Sequence, residues 1–392
     1  MKIHRPIYVA IENALARIFI ENQHAEKIVD YYLKNEKKWG ARDRRLFAEV
    51  VYDIVRYWRT YFAVLEFEFN STPVDKAIIA RVIESYLTWR ERPGDFLKIT
   101  SSLSRAERES VPDWLDEWGE EHYAEQWGTL LHALNKPARQ YLRANELRCD
   151  IQSLQKKLAF EQIETEFVPN VPTALALKER KNVFKTEAYK SGFFEMQDGG
   201  SQLIAPFLKA EPGDRVIDAC AGGGGKTLHL AAQMKNKGQI IALDVHEWKL
   251  NELKTRAKRA GVSIVETRVI ESNKVIKRLS ESADRVLLDV PCSGLGVLRR
   301  HPDTKWKLSL AEIKNLETLQ QDILQRYSSM VKAGGTLVYA TCSIAPSENE
   351  QQVQNFIARN EGRFQLEEEL HIWPTQLDSD GFYAARIKKL TI

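Results

Sequence analysis

The sequence predicts an α/β protein in which a doubly wound parallel sheet is preceded by an all-α region and by a small α+β insert. Up to about residue 143, apolar residues recur at spacings of three and four, which is typical of amphipathic helices. Beyond residue 200, short apolar runs alternate with amphipathic stretches, and this alternation is typical of parallel sheets covered by helices. We therefore expect three domains, at residues 1–143, 144–200 and 201–392.

Length, charge and cysteine usage narrow the class of protein. The chain has 392 residues, 43% of them hydrophobic, which is enough for two or three ordinary cores. Its net charge of +3 neither requires nor excludes a nucleic-acid partner. The four cysteines are widely spaced, which argues against a zinc site and against a secreted disulfide scaffold, so we expect no metal.

The N-terminus lacks a signal-peptide pattern and no segment is apolar enough to span a bilayer. We therefore expect a cytoplasmic protein with reduced thiols and no membrane contact, and we assume a monomer.

The all-α region is predicted from two apolar patterns and contains a basic stretch. The apolar residues that share a helix face are Ile7, Ile11, Ala14, Leu15 and Ile18 in one segment, and Phe47, Val50, Val51, Ile54 and Val55 in another. Residues 34–59 hold eight Lys or Arg against four acids. Such a run is usually a solvated helix face, and a nucleic-acid surface is the alternative.

The remaining elements follow from short apolar runs between turn signals. In the α+β insert we expect a strand at 141–145, a helix at 151–160 and further strands at 164–168 and 174–178. The strands expected in the parallel sheet are Arg215–Asp218, Gln239–Asp244, Val265–Ile270, Arg285–Asp289 and Thr336–Tyr339. The sequence thus places a ligand site where these strands end, since ligands bind there in open parallel sheets.

A glycine loop follows the first of these strands and indicates which cofactor binds. The loop is Ala219-Cys-Ala-Gly-Gly-Gly-Gly-Lys-Thr227, and it leads into a helix. A nucleoside triphosphate loop would need glycine where Cys220 stands, and a dinucleotide fingerprint fits in neither register. S-adenosylmethionine needs a glycine turn and an acid at the end of the second strand, which Asp244 supplies. The pattern therefore favours S-adenosylmethionine.

Two cysteines occupy equivalent positions in this half of the chain. Cys292, in Leu288-Asp-Val-Pro-Cys-Ser-Gly294, and Cys342, in Leu337-Val-Tyr-Ala-Thr-Cys-Ser343, each follow an apolar strand and open a turn-rich segment. Lone cysteines after strands are more often inert core residues. Here both cysteines lie at the same edge of the predicted sheet. This placement favours a reactive pair in which one thiol attacks the substrate and the other promotes its release. Cys149 and Cys220 are expected to be structural thiols.

With these motifs in place, the chain resembles the RsmB/Sun family of RNA 5-methylcytosine methyltransferases. The segments that carry the resemblance are Asp218–Thr227, Leu288–Gly294 with Arg300–Asp303, Tyr339–Ser343 with Glu348–Glu350, Gly192–Asp198 and Asp380–Arg386. The resemblance implies a Rossmann-like class I methyltransferase sheet. It also implies an RRM-like insert and, through 41–52 and Arg56, a NusB-like helical domain that binds RNA.

By this resemblance, Cys342 is the attacking thiolate, Cys292 promotes release and Asp289 contacts the cytosine edge. The residues implied to bind the cofactor are Cys220, Ala221, Gly222, Gly223, Gly224, Gly225, Lys226, Asp244, Glu271 and Asp289. Two of these depart from the family pattern. Gly222 and Gly223 replace an Ala-Pro pair, which should make the loop more mobile, and Glu271 replaces the usual acid after the third strand. For Lys226, a solvated position at the helix start is the alternative to a contact with the cofactor or a phosphate.

The implied substrate is RNA, with small-subunit ribosomal RNA ahead of transfer RNA. A cationic cluster after Cys292, formed by Arg299, Arg300, Lys305 and Lys307, is expected to contact phosphates, and a plain surface loop is the alternative. Other classes stay open at this point. They are a DNA cytosine-5 methyltransferase, a catalytically silent RNA-binding assembly factor and a nucleotide-hydrolysing protein.

Overall fold

The computed structural model describes residues 3–391, which divide into two compact units. The first comprises the chain up to Pro137 together with Leu298–Leu308, and the second comprises Ala138–Val297 together with the chain from Ser309 onwards. The first unit is helical. The second contains the α+β insert and the large sheet.

The helical unit is built from amphipathic helices around one aromatic-rich core. Its helices are Arg5–Phe19, Ala25–Asn35, Ala41–Arg56, Trp58–Val64, Lys76–Arg90, Pro93–Thr100, Arg105–Arg108, Asp113–Tyr123, Trp127–Leu134 and, from the second segment, Thr304–Lys307. Both predicted apolar faces are buried in the core. There the Phe19 and Trp58 rings stack with centroids 3.8 Å apart. The helical prediction for this region is confirmed.

The basic stretch of this unit divides into buried and exposed members. Arg59 donates to Val111 O at 2.7 Å and to Asp113 at 2.6 Å, and Arg56 donates to Arg299 O at 2.9 Å, so both arginines support the fold. The exposed cations are Lys34, Lys37, Lys38, Arg42 and Arg45. The predicted nucleic-acid surface of residues 34–59 is therefore restricted to its amino-terminal part.

The segment Leu298–Leu308 completes the core of the helical unit and corrects one expectation. Lys305 is 1% exposed, and its ammonium donates to Arg56 O at 2.7 Å and to Asn135 Oδ1 at 3.0 Å. Trp306 Nε1 donates to Val55 O at 2.7 Å. Arg299 is also buried. The expectation that Lys305 and Arg299 contact phosphates is wrong, because their side chains are held inside the protein. For the half-exposed Arg300 and Lys307 it stays a prediction.

The α+β insert forms a four-stranded antiparallel sheet in the order β2-β3-β1-β4. Its strands are β1 (Tyr141–Ala144), β2 (Thr165–Phe167), β3 (Ala174–Leu177) and β4 (Phe194–Met196), with helices Ile151–Phe160 and Glu187–Lys190. The predicted strands and helix are present, and β4 adds to them. The predicted boundary between residues 143 and 144 falls inside β1, because the pattern change that begins at Tyr141 is the strand itself.

Strand β1 of this small sheet is covered on both faces. Leu142 and Ala144 pack into the insert's own core with Leu154 and Leu158. From the other face, Arg143 donates to Gly225 O at 2.5 Å, in the part of the unit that contains the large sheet. All four residues of β1 are buried. Strand β1 therefore offers no open face for base stacking, and the insert keeps the predicted α+β topology.

The large sheet has seven strands in the order β10-β11-β9-β8-β5-β6-β7 within residues 3–391. They are β5 (Arg215–Asp218), β6 (Gln239–Asp244), β7 (Val265–Val269), β8 (Ala283–Asp289), β9 (Val331–Thr341), β10 (Phe364–Ile372) and β11 (Phe382–Lys389). Strands β5 to β9 pair in parallel, and β10 and β11 add antiparallel. The five predicted strands are all present, and the two antiparallel strands extend the sheet.

Helices cover both faces of this sheet, which confirms the doubly wound α/β class. They are Ser201–Phe207, Gly225–Gln233, Glu247–Ala260, Asn273–Arg278, Leu310–Tyr327, Glu350–Arg359 and Pro374–Leu377. Separate apolar cores lie on the two faces, around Val286 and Leu337 on one and around Val216 and Val338 on the other. The chain order reverses beside β5, whose neighbours are β6 and β8. A ligand crevice is expected at this point, outside the carboxyl ends of the strands.

Candidate active site

The glycine loop leaves β5 at this crevice and needs glycine for two separate reasons. Gly222 and Gly224 have φ of +54° and +83°, in the left-handed region that other residues rarely adopt. A Cβ on Gly224 would also lie 2.4 Å from Leu253 Cγ. The loop therefore follows a tight path into helix Gly225–Gln233, with its backbone open to a ligand.

A buried carboxyl group stands at the start of the loop. Asp218 Oδ2 accepts from Thr227 Oγ1 at 2.6 Å, while Asp218 Oδ1 is buried and accepts no hydrogen bond within residues 3–391. Burial raises the pKa of Asp218 to about 7, although the Thr227 hydrogen bond opposes the shift. An acceptor of this kind lacks only a donor, which the ammonium of an amino-acid ligand would supply.

Asp218 shares a small cavity with the predicted cofactor residues. The cavity is lined by Gln197, Ser201, Asp218, Cys220, Ala221, Gly225, Lys226 and Asp289. The pKa of the Cys220 thiol, which lines this cavity, is raised well above its usual value by burial and by the charge of Asp289. Gln197 and Ser201 were not predicted as site residues. Their signal was the turn segment Gln197-Asp-Gly-Gly-Ser201, which holds both.

Asp244 ends β6 and is fixed by backbone groups. Its Oδ2 accepts from Gly222 N at 2.9 Å and its Oδ1 accepts from His246 N at 2.8 Å. The carboxylate is therefore bound to the glycine loop, where each oxygen still has a lone pair for a further donor such as a ribose hydroxyl. Glu271 lies two residues beyond the end of neighbouring β7 and is exposed. Its contact with the cofactor stays a prediction.

The two predicted cysteines meet at the carboxyl edge of β8 and β9. Asp289 and Ala340 are paired across the two strands, and the thiols follow three and two residues later. Cys292 Sγ and Cys342 Sγ are 3.0 Å apart, and Cys342 N donates to Cys292 Sγ at 3.2 Å. Parallel pairing thus brings together two residues that are 50 positions apart in the chain.

A lysine–carboxylate pair lies beside the thiols. Lys226 Nζ donates to Asp289 Oδ2 at 2.7 Å and lies 5.6 Å from the Phe382 ring centroid. Burial acts to lower the pKa of Lys226, but Asp289 outweighs it and the net shift is upward. Lys226 is therefore a held cation in the site and not a solvated lysine. This finding contradicts the alternative in which it lies in solvent at the helix start.

The environment distinguishes the two thiols. The pKa of Cys292 is raised well above its usual value by the hydrogen bond with Cys342, by burial and by the nearby charges, including Glu348. Cys342, in turn, is among the groups that raise the pKa of Lys226. The two thiols therefore differ in their charged neighbours, which include Glu348 for Cys292 and Lys226 for Cys342.

A hydrogen-bonded group behind the thiols was missed in the prediction of site residues. Ser293 and Ser343, which directly follow the two cysteines, both donate to Glu348 at 2.5 Å. Their only signal in the sequence was the repeated Cys-Ser pair and the segment Glu348–Glu350. Nothing local to either motif indicates that they meet.

Two further properties concern ligands and membranes. Among residues 3–391, we find no cluster of three or more His, Cys, Asp or Glu side chains placed to hold a metal ion. The described part of the chain likewise contains no helix of the length and hydropathy needed to cross a bilayer. All four cysteines are free thiols.

Sequence-family models match two parts of the chain. A model described as 16S rRNA methyltransferase RsmB/F matches residues 205–388. A second, described as the ferredoxin-like domain of RsmF/B-like methyltransferases, matches residues 111–184. These matches cover the large sheet and most of the insert.

Individual relatives extend the likeness over most of the chain. The probable ribosomal RNA small subunit methyltransferase B of Synechocystis sp. is 33% identical over 323 residues, which are 76% of this chain and 71% of the relative. Its counterpart in Bacillus subtilis is 32% identical over 332 residues, covering 79% of this chain and 74% of the relative. The crystal structure of PH0851 is 26% identical with a TM-score of 0.82, over 99% of this chain and 100% of that one. The fold, the motifs and these relatives together show that the chain belongs to the RsmB/F family of 16S rRNA methyltransferases.

Proposed function

We propose that the protein methylates carbon-5 of a cytosine in small-subunit ribosomal RNA through a covalent adduct with Cys342. The observation that carries this proposal is the pair of thiols, with sulfurs 3.0 Å apart at the carboxyl edge of the sheet. A transferase acting on a nitrogen or oxygen atom has no need for two such thiols. Carbon-5 of cytosine is a poor nucleophile, and addition of a thiolate to carbon-6 activates it.

The methyl donor is S-adenosylmethionine, and the residues present fit it. The unpaired Oδ1 of Asp218 suits the ammonium of the methionine part, and Asp244 suits the ribose hydroxyls. The glycine loop lies between them, where its backbone admits close approach. When bound, the cofactor supplies an electrophilic methyl group on a sulfonium.

Cys342 is the nucleophile in this proposal. Its thiolate forms a bond to carbon-6, and the electron pair of the carbon-5–carbon-6 double bond moves towards carbon-5. The Lys226 ammonium, held by Asp289, is close enough to interact electrostatically with Cys342. We assign Asp289 the contact with the cytosine edge that the family resemblance implied.

Cys292 acts in release. After methyl transfer, Cys292 loses its own proton to solvent, and its thiolate then takes the carbon-5 proton directly or through a water, the double bond re-forms and the Cys342 thiolate is expelled. The raised pKa of Cys292 makes its thiolate form a strong proton acceptor, and its sulfur lies next to the bond that breaks. The target base must leave its stack to reach these thiols, so unpaired or flipped nucleotides are the expected substrate.

The test is a pair of cysteine variants incubated with 16S ribosomal RNA and S-adenosylmethionine. Cys292→Ala should accumulate a protein–RNA adduct that survives denaturing electrophoresis, because attack proceeds and release does not. Cys342→Ala should form no adduct and transfer no methyl group. Cys149→Ala, which alters a thiol of the insert's core, is the matched control and should behave as the unmodified protein.

The other outcomes discriminate among the remaining classes. An adduct in Cys342→Ala and none in Cys292→Ala would overturn the assignment and favour the DNA-type mechanism, in which the thiol after proline attacks. Methylation of transfer RNA or DNA in place of ribosomal RNA would change the substrate. Bound cofactor without methyl transfer to any of the three would favour a catalytically silent assembly factor.

A further inference from the structure

The carboxylate of Glu348 connects the loops that carry the two thiols. Glu348 is fully buried, and its Oε2 accepts from Ser293 Oγ and from Ser343 Oγ, each at 2.5 Å. Its Oε1 accepts from Ser293 N at 2.8 Å and from Gln320 Nε2 at 2.9 Å. The serine hydroxyls are 3.1 Å apart, so a single carboxylate holds both.

The Cys292 loop is held on both sides of the cysteine. On the amino-terminal side, Gln320 Nε2 donates to Pro291 O at 2.9 Å. On the carboxyl-terminal side, Ser293 binds Glu348 through its backbone and its side chain. Since Gln320 also donates to Glu348, the groups on both sides of Cys292 lead to the same carboxylate.

The Cys342 loop is held in the same manner. Thr341 Oγ1 donates to Asn349 Oδ1 at 2.5 Å, and Asn349 Nδ2 donates to Ser343 O at 3.0 Å. Tyr339 in β9 donates through its hydroxyl to Glu348 O at 2.6 Å. The short segment Glu348–Asn349 therefore fixes the residues before and after Cys342 and, through Ser293, those after Cys292.

We propose that Glu348 is a positioning residue that holds Cys342 and Cys292 at the separation needed for attack and release. Two loops that leave neighbouring parallel strands have no inherent reason to keep their side chains in contact. Covalent catalysis needs the reacting atoms placed within a fraction of an ångström. Glu348 supplies this constraint without touching either thiol, through the serines that follow them. The inference rests on the proposed function, in which both thiols act.

The charge of Glu348 adds a second effect. It lies beside Cys292, together with Cys342 and the Tyr339 hydroxyl, and it is among the causes that raise the pKa of the Cys292 thiol. A negative charge at this place disfavours a second thiolate. Glu348 thus acts on Cys292 through its charge as well as through the position of the loop.

The test compares Glu348→Gln with Glu361→Gln, an exposed glutamate of the same unit. The glutamine is almost as long as glutamate, but it lacks the charge and the second acceptor oxygen. Glu348→Gln should lower the single-turnover rate of methyl transfer at least tenfold per folded molecule. Its Kd for S-adenosylmethionine should stay within twofold, because the cofactor residues lie elsewhere. Glu361→Gln should be unchanged in both.

The serine variants separate positioning from general stability. Ser343→Ala, placed in the Cys292→Ala background, should slow adduct formation, because only the Cys342 loop is released. Ser293→Ala alone should form the adduct normally and accumulate it, because the release thiol is displaced. If the serines only stabilised the fold, their substitution would lower the melting temperature and would not affect adduct formation and release differently.

The experiments distinguish failure of this inference from failure of the proposed function. If Cys292→Ala traps the adduct but Glu348→Gln turns over within twofold of the unmodified protein, the inference is wrong and the proposed function stands. If Cys292→Ala traps nothing, the proposed function fails first. If Glu348→Gln does not fold, the serine variants decide, and unchanged rates of adduct formation and release in them would overturn the inference.

Discussion

At the scale of single residues, Asp218 has an unusual environment for a carboxyl group. Its carboxyl group is buried, one oxygen accepts from Thr227 and the other is an unused acceptor. Such a group is costly to ionise, which is why burial raises its pKa to about 7. It is therefore half-protonated near neutral pH and poised to become charged when a positively charged ligand arrives.

This raised pKa predicts a pH-dependent stability that Asp218→Asn should remove. The folded-state pKa lies above the unfolded value of about 3.9, so the folded protein binds the proton more tightly. The contribution of this carboxyl group to the free energy of unfolding is complete below about pH 3.9. It falls by up to about 1.4 kcal/mol per pH unit as the pH rises from there, and it is lost once the pH has passed about 7. Denaturant unfolding from pH 5 to 8 should show the free energy of unfolding falling more steeply in the unmodified protein than in the variant. Parallel pH curves for the two would refute the assignment.

The conformation of the glycine loop depends on the residues that pack against it as well as on its own residues. The consecutive glycines indicate a tight loop, but only the packed structure separates their roles. At Gly222 a Cβ would meet open space and the constraint is φ alone, whereas at Gly224 helix Glu247–Ala260 also approaches through Leu253. Of the two glycines that replace the family's Ala-Pro pair, Gly222 therefore has space for a Cβ, whereas a Cβ on Gly223 would lie 3.2 Å from Arg256 Nη1.

Alanine at these positions should have graded effects. Gly224→Ala combines a positive φ with a Cβ 2.4 Å from Leu253 Cγ, and should lower the free energy of unfolding by about 2–5 kcal/mol. Gly222→Ala imposes the backbone cost alone, about 1–2 kcal/mol. Calorimetric titration with S-adenosylmethionine should show a larger loss of affinity for Gly224→Ala. Equal effects would mean that the contact with Leu253 is relieved by movement of its helix.

At the scale of the whole molecule, the chain leaves the sheet-containing unit after Val297 and returns to it at Ser309. The intervening residues complete the helical unit, where Lys305 and Trp306 bind backbone carbonyls of helix Ala41–Arg56. A buried ammonium is tolerated only with hydrogen-bond acceptors, and burial lowers the pKa of Lys305 well below its usual value. A cation that looks like an RNA contact in the sequence is therefore a structural group.

Lys305→Ala should destabilise the helical unit without a direct effect on RNA electrostatics. Loss of the buried side chain and its two hydrogen bonds should lower the free energy of unfolding by about 2–4 kcal/mol, whereas Lys307→Ala, at a half-exposed position, should cost about 1 kcal/mol or less. Hydrogen exchange of helix Ala41–Arg56 would report the difference. Unchanged exchange together with RNA binding that is weaker and less salt-dependent would restore the phosphate-contact hypothesis.

The sequence alone determined the elements and the chemical groups of this protein. The helical region, the five parallel strands and the positions of Asp218, Asp244, Cys292 and Cys342 at strand ends all follow from patterns of a few consecutive residues. Apolar periodicity and turn residues act over such short distances, because they reflect which face of one element is buried. The family was recognisable for the same reason, since its motifs are local strings.

Only the tertiary structure decided how distant residues pair. The contact of Glu348 with two serines, the burial of Lys305 and the burial of strand β1 in the insert each join segments far apart in the chain. No local pattern distinguishes a buried lysine from an exposed one, or an acid in a motif from one that connects two loops. These roles arise from packing, because burial and hydrogen-bond partners exist only once the strands and helices have assembled.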